Sequence, residues 1–392
     1  MVRGVGKGVV WLGVVSFFAD VAGEMIAPLL PLYMTTVLGA PATAVGFVDG
    51  AADLAASVFR AVGGWWSDRA GRRKPTVVFG YTLSAAAKPA LALAAGWPGL
   101  LAARFLDRAG KGIRGSARDA LIASTTDERH WGAAFSLHRA MDTAGAVLGP
   151  LVGLWLLGSA GLSYRAVFVA AGLPAFAAVL VLAVFVREGA AARESPGPPA
   201  ERGKVSSLPP AFWRFLGIYA LFAVGNSSDS FILLKGAHAG MSRTTVVLAY
   251  VLFNLVNAAC ATAAGRLADR FGRRAVVAAG MAVYALCYAG FARAETPSAL
   301  WPLFALYGLQ AALIEGSFRA AVADASGPAN RGTAQGVFQG TAGALAFCAS
   351  ALAGFLWSRF GPAAAFWLGA SCAASASVLL GLSAASSRRA AR

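Results

Sequence analysis

The sequence predicts an all-α membrane protein with twelve transmembrane helices in two six-helix bundles of like construction. Three observations carry that expectation: long uncharged apolar runs, basic residues clustered in alternate loops, and a repeat linking the two halves. Hydrophobic residues make up 58% of the 392 residues and charged residues 13%, about half the charged share of a soluble chain. The runs Ala166–Val186 and Ala275–Ala292 contain no charge. About 20 such residues, at roughly 1.5 Å each, cross the hydrocarbon core of a bilayer. Strand-like alternation is absent, which argues against an outer-membrane barrel.

Spans are expected near 9–36, 43–66, 75–95, 98–122, 132–156, 164–186, 212–235, 244–267, 275–293, 298–321, 332–357 and 362–382. The first run continues past signal-peptide length and lacks a small-residue cleavage pattern, so it reads as an uncleaved span. An even count puts both termini on one side. Arg3 to Lys7, Arg69 to Lys74, Arg270 to Arg274 and the tail Arg388, Arg389, Arg392 then share that side. Three of the opposite loops, around Gly39, Gly96 and Gly158, carry almost no Lys or Arg, which puts both termini in the cytoplasm. The same clustering explains the net charge of +16 without a nucleic-acid partner. Residues 187–211, rich in Pro, Gly, Ser and charge, read as a cytoplasmic linker between bundles 1–186 and 212–392.

The halves are repeats. Gly64-Trp-Trp-Ser-Asp68-Arg-Ala-Gly71-Arg72-Arg73 recurs 201 positions later as Gly265-Arg-Leu-Ala-Asp269-Arg-Phe-Gly272-Arg273-Arg274. Gly115-Ser-Ala-Arg118 recurs as Gly316-Ser-Phe-Arg319 at the same offset. Duplicated membrane halves put a small-molecule site at the midplane between them and imply alternating access.

Charges inside spans are costly and mark partners or wet cavities. Asp20 and Glu24 lie one turn apart on one face of span one. Such a pair either exchanges protons or is neutralised by fixed basic partners. Pro28 and Pro31 just beyond it predict a bend. Span seven carries Asn226-Ser227-Ser228-Asp229, either a binding site or a helix-breaking turn. Span two has Asp49, Asp53 and Arg60 on one face, and Lys88 of span three either snorkels or pairs with Asp53. Span four bears Arg104, Asp107 and Arg108. Span five bears His138, Arg139 and Asp142, with Asp142 pairing with Arg139 or a span-four base. His138 is either a proton relay or a residue of the cytoplasmic mouth. Span ten bears Glu315 and Arg319, an i,i+4 pair. The four cysteines lie in apolar runs without ligand spacing, so no metal or cofactor is expected.

Gly64–Arg73, repeated after span eight, resembles the G-x-x-x-D-R-x-G-R-R loop signature of the major facilitator superfamily, and the resemblance extends over essentially the whole chain. It implies that Asp68, Arg72, Asp269 and Arg273 are gating residues. Gly145-Ala-Val-Leu-Gly149-Pro150-Leu-Val-Gly153 resembles the G-x-x-x-G-P-x-x-G motif of the family's antiporters, with Leu154 where a further Gly is common. Arg104 resembles the arginine of the family's fourth helix. Asp107 through Arg114, Arg118-Asp119-Ala, and Ser16 through Ile26 are similar to a little-characterised bacterial and archaeal permease group. The resemblance implies a monomeric transporter coupled to protons, most simply an exporter; an importer or a metal or metal-chelate exporter is the alternative. A membrane enzyme is the rival of another class. Asp49-Gly50 followed by Gly63 and Asp68 partly matches the metal motif of phospholipid head-group transferases, but Asp53-Leu54 stand where that motif needs Ala-Arg, so no enzyme is expected.

Overall fold

The computed structural model describes residues 6–70, 72–187, 205–327 and 330–390, with side chains omitted at 68, 70, 128, 319 and 384–390. Its described residues are helical, without strands. The helices are α1 (Lys7–Glu24), α2 (Leu30–Thr36), α3 (Ala42–Ala70), α4 (Arg73–Leu93), α5 (Trp97–Ser124), α6 (Trp131–Gly158), α7 (Tyr164–Ala170) and α8 (Gly172–Phe185). After residues 188–204 follow α9 (Pro210–Gly225), α10 (Ser230–His238), α11 (Arg243–Phe271), α12 (Arg273–Arg293), α13 (Pro297–Ser326), α14 (Arg331–Phe360) and α15 (Pro362–Ala390). The repeat is legible in these bounds: α3 and α11 are both 29 residues long and end at the repeated loop.

Ten helical segments, counting α7–α8 and α9–α10 as one each, are long and apolar enough to cross a membrane. The expected twelve adds α1–α2 and α5. Both carry charge within the helix: Lys7, Asp20 and Glu24 lie on the 18 residues of α1, and seven charged residues from Arg104 to Asp119 on α5.

Two spans are broken where the sequence requires it. Pro28 has no N–H to donate, and α1 gives way to single turns closed by Ile26 N–H on Gly23 O (3.2 Å) and Leu29 N–H on Ile26 O (3.0 Å). Pro31 then falls in the first turn of α2, where its missing donor costs nothing. In span seven α9 stops at Gly225, and Asn226 leaves the helical region at φ −90°, ψ 78°. The Asn-Ser-Ser-Asp side chains compete with the backbone for its hydrogen bonds. The helix-breaking reading of this stretch is therefore correct as to conformation.

The chain divides into two compact units. One comprises residues 1–40 and 51–199; the other comprises 41–50 and 200–392. In the first, α4 and α5 meet at two glycines: a Cβ on Gly80 would stand 2.7 Å from Gly110 O. Small residues at such crossings let backbones approach closely. Val9, Leu12, Val15, Val77, Tyr81 and Leu182 fill the core beside them. In the second, the core is aromatic: Tyr284 and Tyr288 stack with centroids 4.0 Å apart, and Phe291 stacks on Phe366 at 5.5 Å.

Candidate functional site

In the first unit the acids of α1 lie directly under the glycines of α6. A Cβ on Gly145 would stand 3.1 Å from Asp20 Cβ, and one on Gly149 2.8 Å from Glu24 Cβ and 2.7 Å from Val21 O. One on Gly153 would meet Met25 O at 2.6 Å. The glycines, four residues apart, form a groove that seats α1, and Pro150 is buried beside Gly149. Asp20 and Glu24 are both half-buried. Lys111 Nζ of α5 stands 3.9 Å from Asp20 Oδ1 and remains 45% exposed at its side chain, a loose pairing that water can enter. One turn earlier, Arg118 Nη1 donates to Ser16 Oγ at 3.3 Å, and its Nη2 donates to Asp119 Oδ1 at 2.9 Å.

Also on α6, His138 Nδ1 lies 3.5 Å from Asp142 Oδ2. His138 is 4% exposed, and neither its Nε2 nor Asp142 Oδ1 has a hydrogen-bond partner among the described residues. The imidazole is close enough to Arg118, Asp119 and Asp20 to feel their charge. Thus Asp20, Glu24, His138 and Asp142 fall in one neighbourhood with Lys111 and Arg118. Arg139, on the same helix, is exposed.

Arg104 and Asp107 belong to a different, closed network. Asp107 Oδ1 accepts from Lys88 Nζ (2.8 Å) and Ser84 Oγ (2.5 Å), and Oδ2 accepts from Arg104 Nη1 (3.3 Å). Lys88, Arg104 and Asp107 are 3%, 6% and 5% exposed. The expectation that Lys88 snorkels or pairs with Asp53 is corrected here. The Gly80–Gly110 crossing brings α4 so close to α5 that Asp107 becomes its counter-ion. Of the two buried cations that share the carboxylate, Lys88 links α4 to α5, and Arg104 pairs within α5. Arg114, also buried, lays its guanidinium 4.1 Å from the centre of the Tyr81 ring. Arg108 is half-buried on the same helix.

In the second unit the polar groups gather at the α9–α10 break. Tyr307 Oη donates to Asp229 Oδ1 at 2.6 Å. Tyr284 Oη donates to Gly225 O at 3.1 Å, closing the open end of α9. Ser227 and Tyr288 hydroxyls are 3.3 Å apart. Asp49, from the start of α3, accepts from Ser228 Oγ at 2.8 Å and from Ser230 Oγ through the same oxygen, while Ser228 N–H donates to Ser350 Oγ at 3.1 Å. Asp49 is 8% exposed. A carboxylate from another helix thus satisfies the two hydroxyls, and serine hydroxyls accept the N–H groups of Ser228 and Ser230 at the break. Asn226 is half-buried in the break. Asp49's role and the three tyrosines were not legible in the sequence, because tyrosine in an apolar helix is ordinarily packing. The serine-rich break was the available signal, since it demands partners.

At the repeated loops, Arg273 Nη1 pairs with Asp324 Oδ1 of α13 at 2.6 Å. In the first half, Arg73 Nη1 donates to Ala120 O and Lys74 Nζ to Ala183 O, each at 2.8 Å. Arg72 and Asp269 are exposed, as is Glu315. The side chains of Asp68 and Arg319 lie outside the described residues, so the Glu315–Arg319 pairing is not described. Gly272, between Phe271 and Arg273, has φ +92°, which favours glycine at that corner.

Apolar helices of spanning length, one broken at the polar stretch Asn226–Asp229, with charged groups paired inside the helical units, define a multi-pass membrane transporter. The profile of the Major Facilitator Superfamily matches residues 12–237 and 230–391, and the chain belongs to that superfamily. It is 33% identical over 388 residues to an uncharacterised transporter of the same type from Methanocaldococcus jannaschii, covering 96% of this chain and 95% of that one. A shorter stretch of 133 residues is 35% identical to a multidrug resistance protein, MdtH, of Photorhabdus laumondii subsp. laumondii, covering 34% of this chain and 33% of that protein. Among solved structures, a POT family transporter in complex with 5-aminolevulinic acid superposes with a TM-score of 0.80 at 13% identity, covering 97% of each chain; at that identity the likeness is one of fold.

Proposed function

We propose that this protein is a proton-coupled exporter of a small solute, working by alternating access in the cytoplasmic membrane with both termini in the cytoplasm. In this reading Asp20 and Glu24 load and release the proton, His138 and Asp142 connect them to water, and Asp229 with Asn226 contributes to substrate binding. The twelve spans act as a monomer, and Asp68, Arg72, Asp269 and Arg273 govern the cytoplasmic gate. The observation that carries the proposal is the fit of Gly145 and Gly149 of the antiporter-like motif against Asp20 and Glu24. A motif associated with exchange is packed on the two acids best suited to exchange a proton. The partial similarity to a multidrug resistance protein favours export over import. Arg104 and Asp107 keep a supporting role here, since their charges are already shared with Lys88.

Proteoliposomes containing a pH-sensitive dye test this reading. Under an imposed proton gradient, addition of substrate from a panel of drugs, metabolites and chelates is expected to release protons with the wild type. Asp20→Asn and Glu24→Gln are expected to abolish proton movement while a thermal-shift response to the same compound persists. Proton movement undiminished in the double variant would reject the assignment.

A further inference from the structure

We infer that the second unit holds a binding site for an anionic phospholipid headgroup where α9, α12 and α15 converge. A cavity of about 160 Å³ lies there, lined by Arg214, Phe215 and Ile218 of α9, Arg274 of α12, and Leu380 and Ser383 of α15. It is below the roughly 300–1,000 Å³ that encloses a drug-sized ligand, so it suits a headgroup and not a transported solute. Two guanidinium groups line it and no carboxylate does. Arg214 is exposed and Arg274 half-buried, and neither has a hydrogen-bond or ion-pair partner among the described residues. This contrasts with neighbouring Arg273, which is committed to Asp324. Guanidinium forks match phosphate oxygens, and two of them facing one cavity select a phosphate monoanion.

The rest of the lining decides between a lipid phosphate and a free one. Phe215 and Leu380 are 4% and 1% exposed and wall the cavity with hydrocarbon. On α15, Leu379 flanks the cavity-lining Leu380 and Ser383 and is 47% exposed, a surface that an acyl chain can reach. Trp213, next to Arg214, is 45% exposed, as an interfacial aromatic is. A ligand with a phosphate in the cavity and hydrocarbon along α15 satisfies both surfaces. Basic pockets between helices at the membrane surface recognise anionic headgroups in this way. Bound there, the phosphate ties the first half of the broken span to the N-terminus of α12, one residue from the Arg273–Asp324 pair. Lipid composition then governs the stability of that end of the unit.

Native mass spectrometry of the full-length protein in detergent, titrated with phosphatidylglycerol or with phosphatidylethanolamine of the same chains, tests the site. Selective retention of phosphatidylglycerol is expected, weakened about fivefold by either Arg214→Gln or Arg274→Gln and about 25-fold by both, at roughly one such step per arginine. Arg214→Lys with Arg274→Lys, which keeps the charge and loses the fork, is expected to fall between. Arg359→Gln, an exposed arginine at the end of α14, is expected to change nothing. Phosphatidylglycerol is expected to raise the melting temperature of the wild type, and inorganic phosphate is not. Equal retention of the two lipids, undiminished retention in the double glutamine variant, an equal loss in Arg359→Gln, or an equal melting shift with inorganic phosphate would each overturn the proposal. Because none of these readouts involves transport, the outcome is independent of the exporter reading.

Discussion

Replacing Gly149 with alanine tests the seam between α1 and α6 most directly. The added methyl would stand 2.7 Å from Val21 O and 2.8 Å from Glu24 Cβ, against the 3.4 Å at which ordinary contact begins. Both neighbours belong to the body of α1, not to the flexible end of a long side chain. The helices must therefore separate by several tenths of an ångström, or Glu24 must turn out of its place. Overpacking of this kind costs about 1–3 kcal/mol. For a chain of this size each kcal/mol lowers the melting temperature by about 2–4 °C or less, so a fall of several degrees is expected. Gly340→Ala on α14 is the control. Nothing lies within 4 Å of its added methyl, and alanine there is expected to be neutral or to stabilise by up to about 1 kcal/mol. The assay is thermal unfolding followed by dye fluorescence, with dye-reported proton movement in proteoliposomes as the second readout. Equal melting temperatures and equal proton movement for Gly149→Ala and Gly340→Ala would refute the claim that these glycines seat the acids.

Three further perturbations probe the other clusters. Asp107→Leu leaves the buried Lys88 and Arg104 without their shared carboxylate and is expected to cost about 3–5 kcal/mol. Lys88→Met alone, which leaves Asp107 paired with Arg104, is expected to cost less, and a loss as large as that of Asp107→Leu would contradict the shared pairing. Asp49→Ala removes the acceptor shared by Ser228 and Ser230; hydrogen exchange followed by mass spectrometry is expected to quicken at 226–232, with no change at the α4–α5 crossing. Arg273→Gln breaks a pair whose side chains are 40% and 49% exposed, so unfolding is expected to shift by at most about 1 kcal/mol while solute flux in proteoliposomes falls. A large loss of stability without a change in flux would place that residue in the scaffold instead of the gate.

Much of the architecture was legible in the sequence because bilayer chemistry leaves few solutions. Apolar runs must be helices, since no water can satisfy their backbone groups. The breaks at Pro28 and at Asn226–Asp229 followed from donors that are missing or diverted. The repeated loop gave α3 and α11 matching lengths and ends. Hydropathy understated α1 and α5 for a physical reason: the charges that make them interesting make them less apolar.

The partners of the charges were not legible. Asp53 and Asp107 were equally available to Lys88 on paper, and only the close crossing at Gly80 and Gly110 selects Asp107. Asp49 looked like part of a charged face of span two, yet it serves hydroxyls about 180 positions away. Spacing along one helix records which residues share a face, not what that face meets. The sequence by itself determined a helical membrane protein with a duplicated plan and acids in its first span, because those properties depend on local composition and periodicity, and its repeated loop carried the resemblance to a transporter family. Only the tertiary structure decided that the antiporter-like glycines bear on Asp20 and Glu24 and that Arg104 and Asp107 are locked with Lys88. A buried charge takes its role from the nearest opposite charge or donor, and that distance is set by how helices cross.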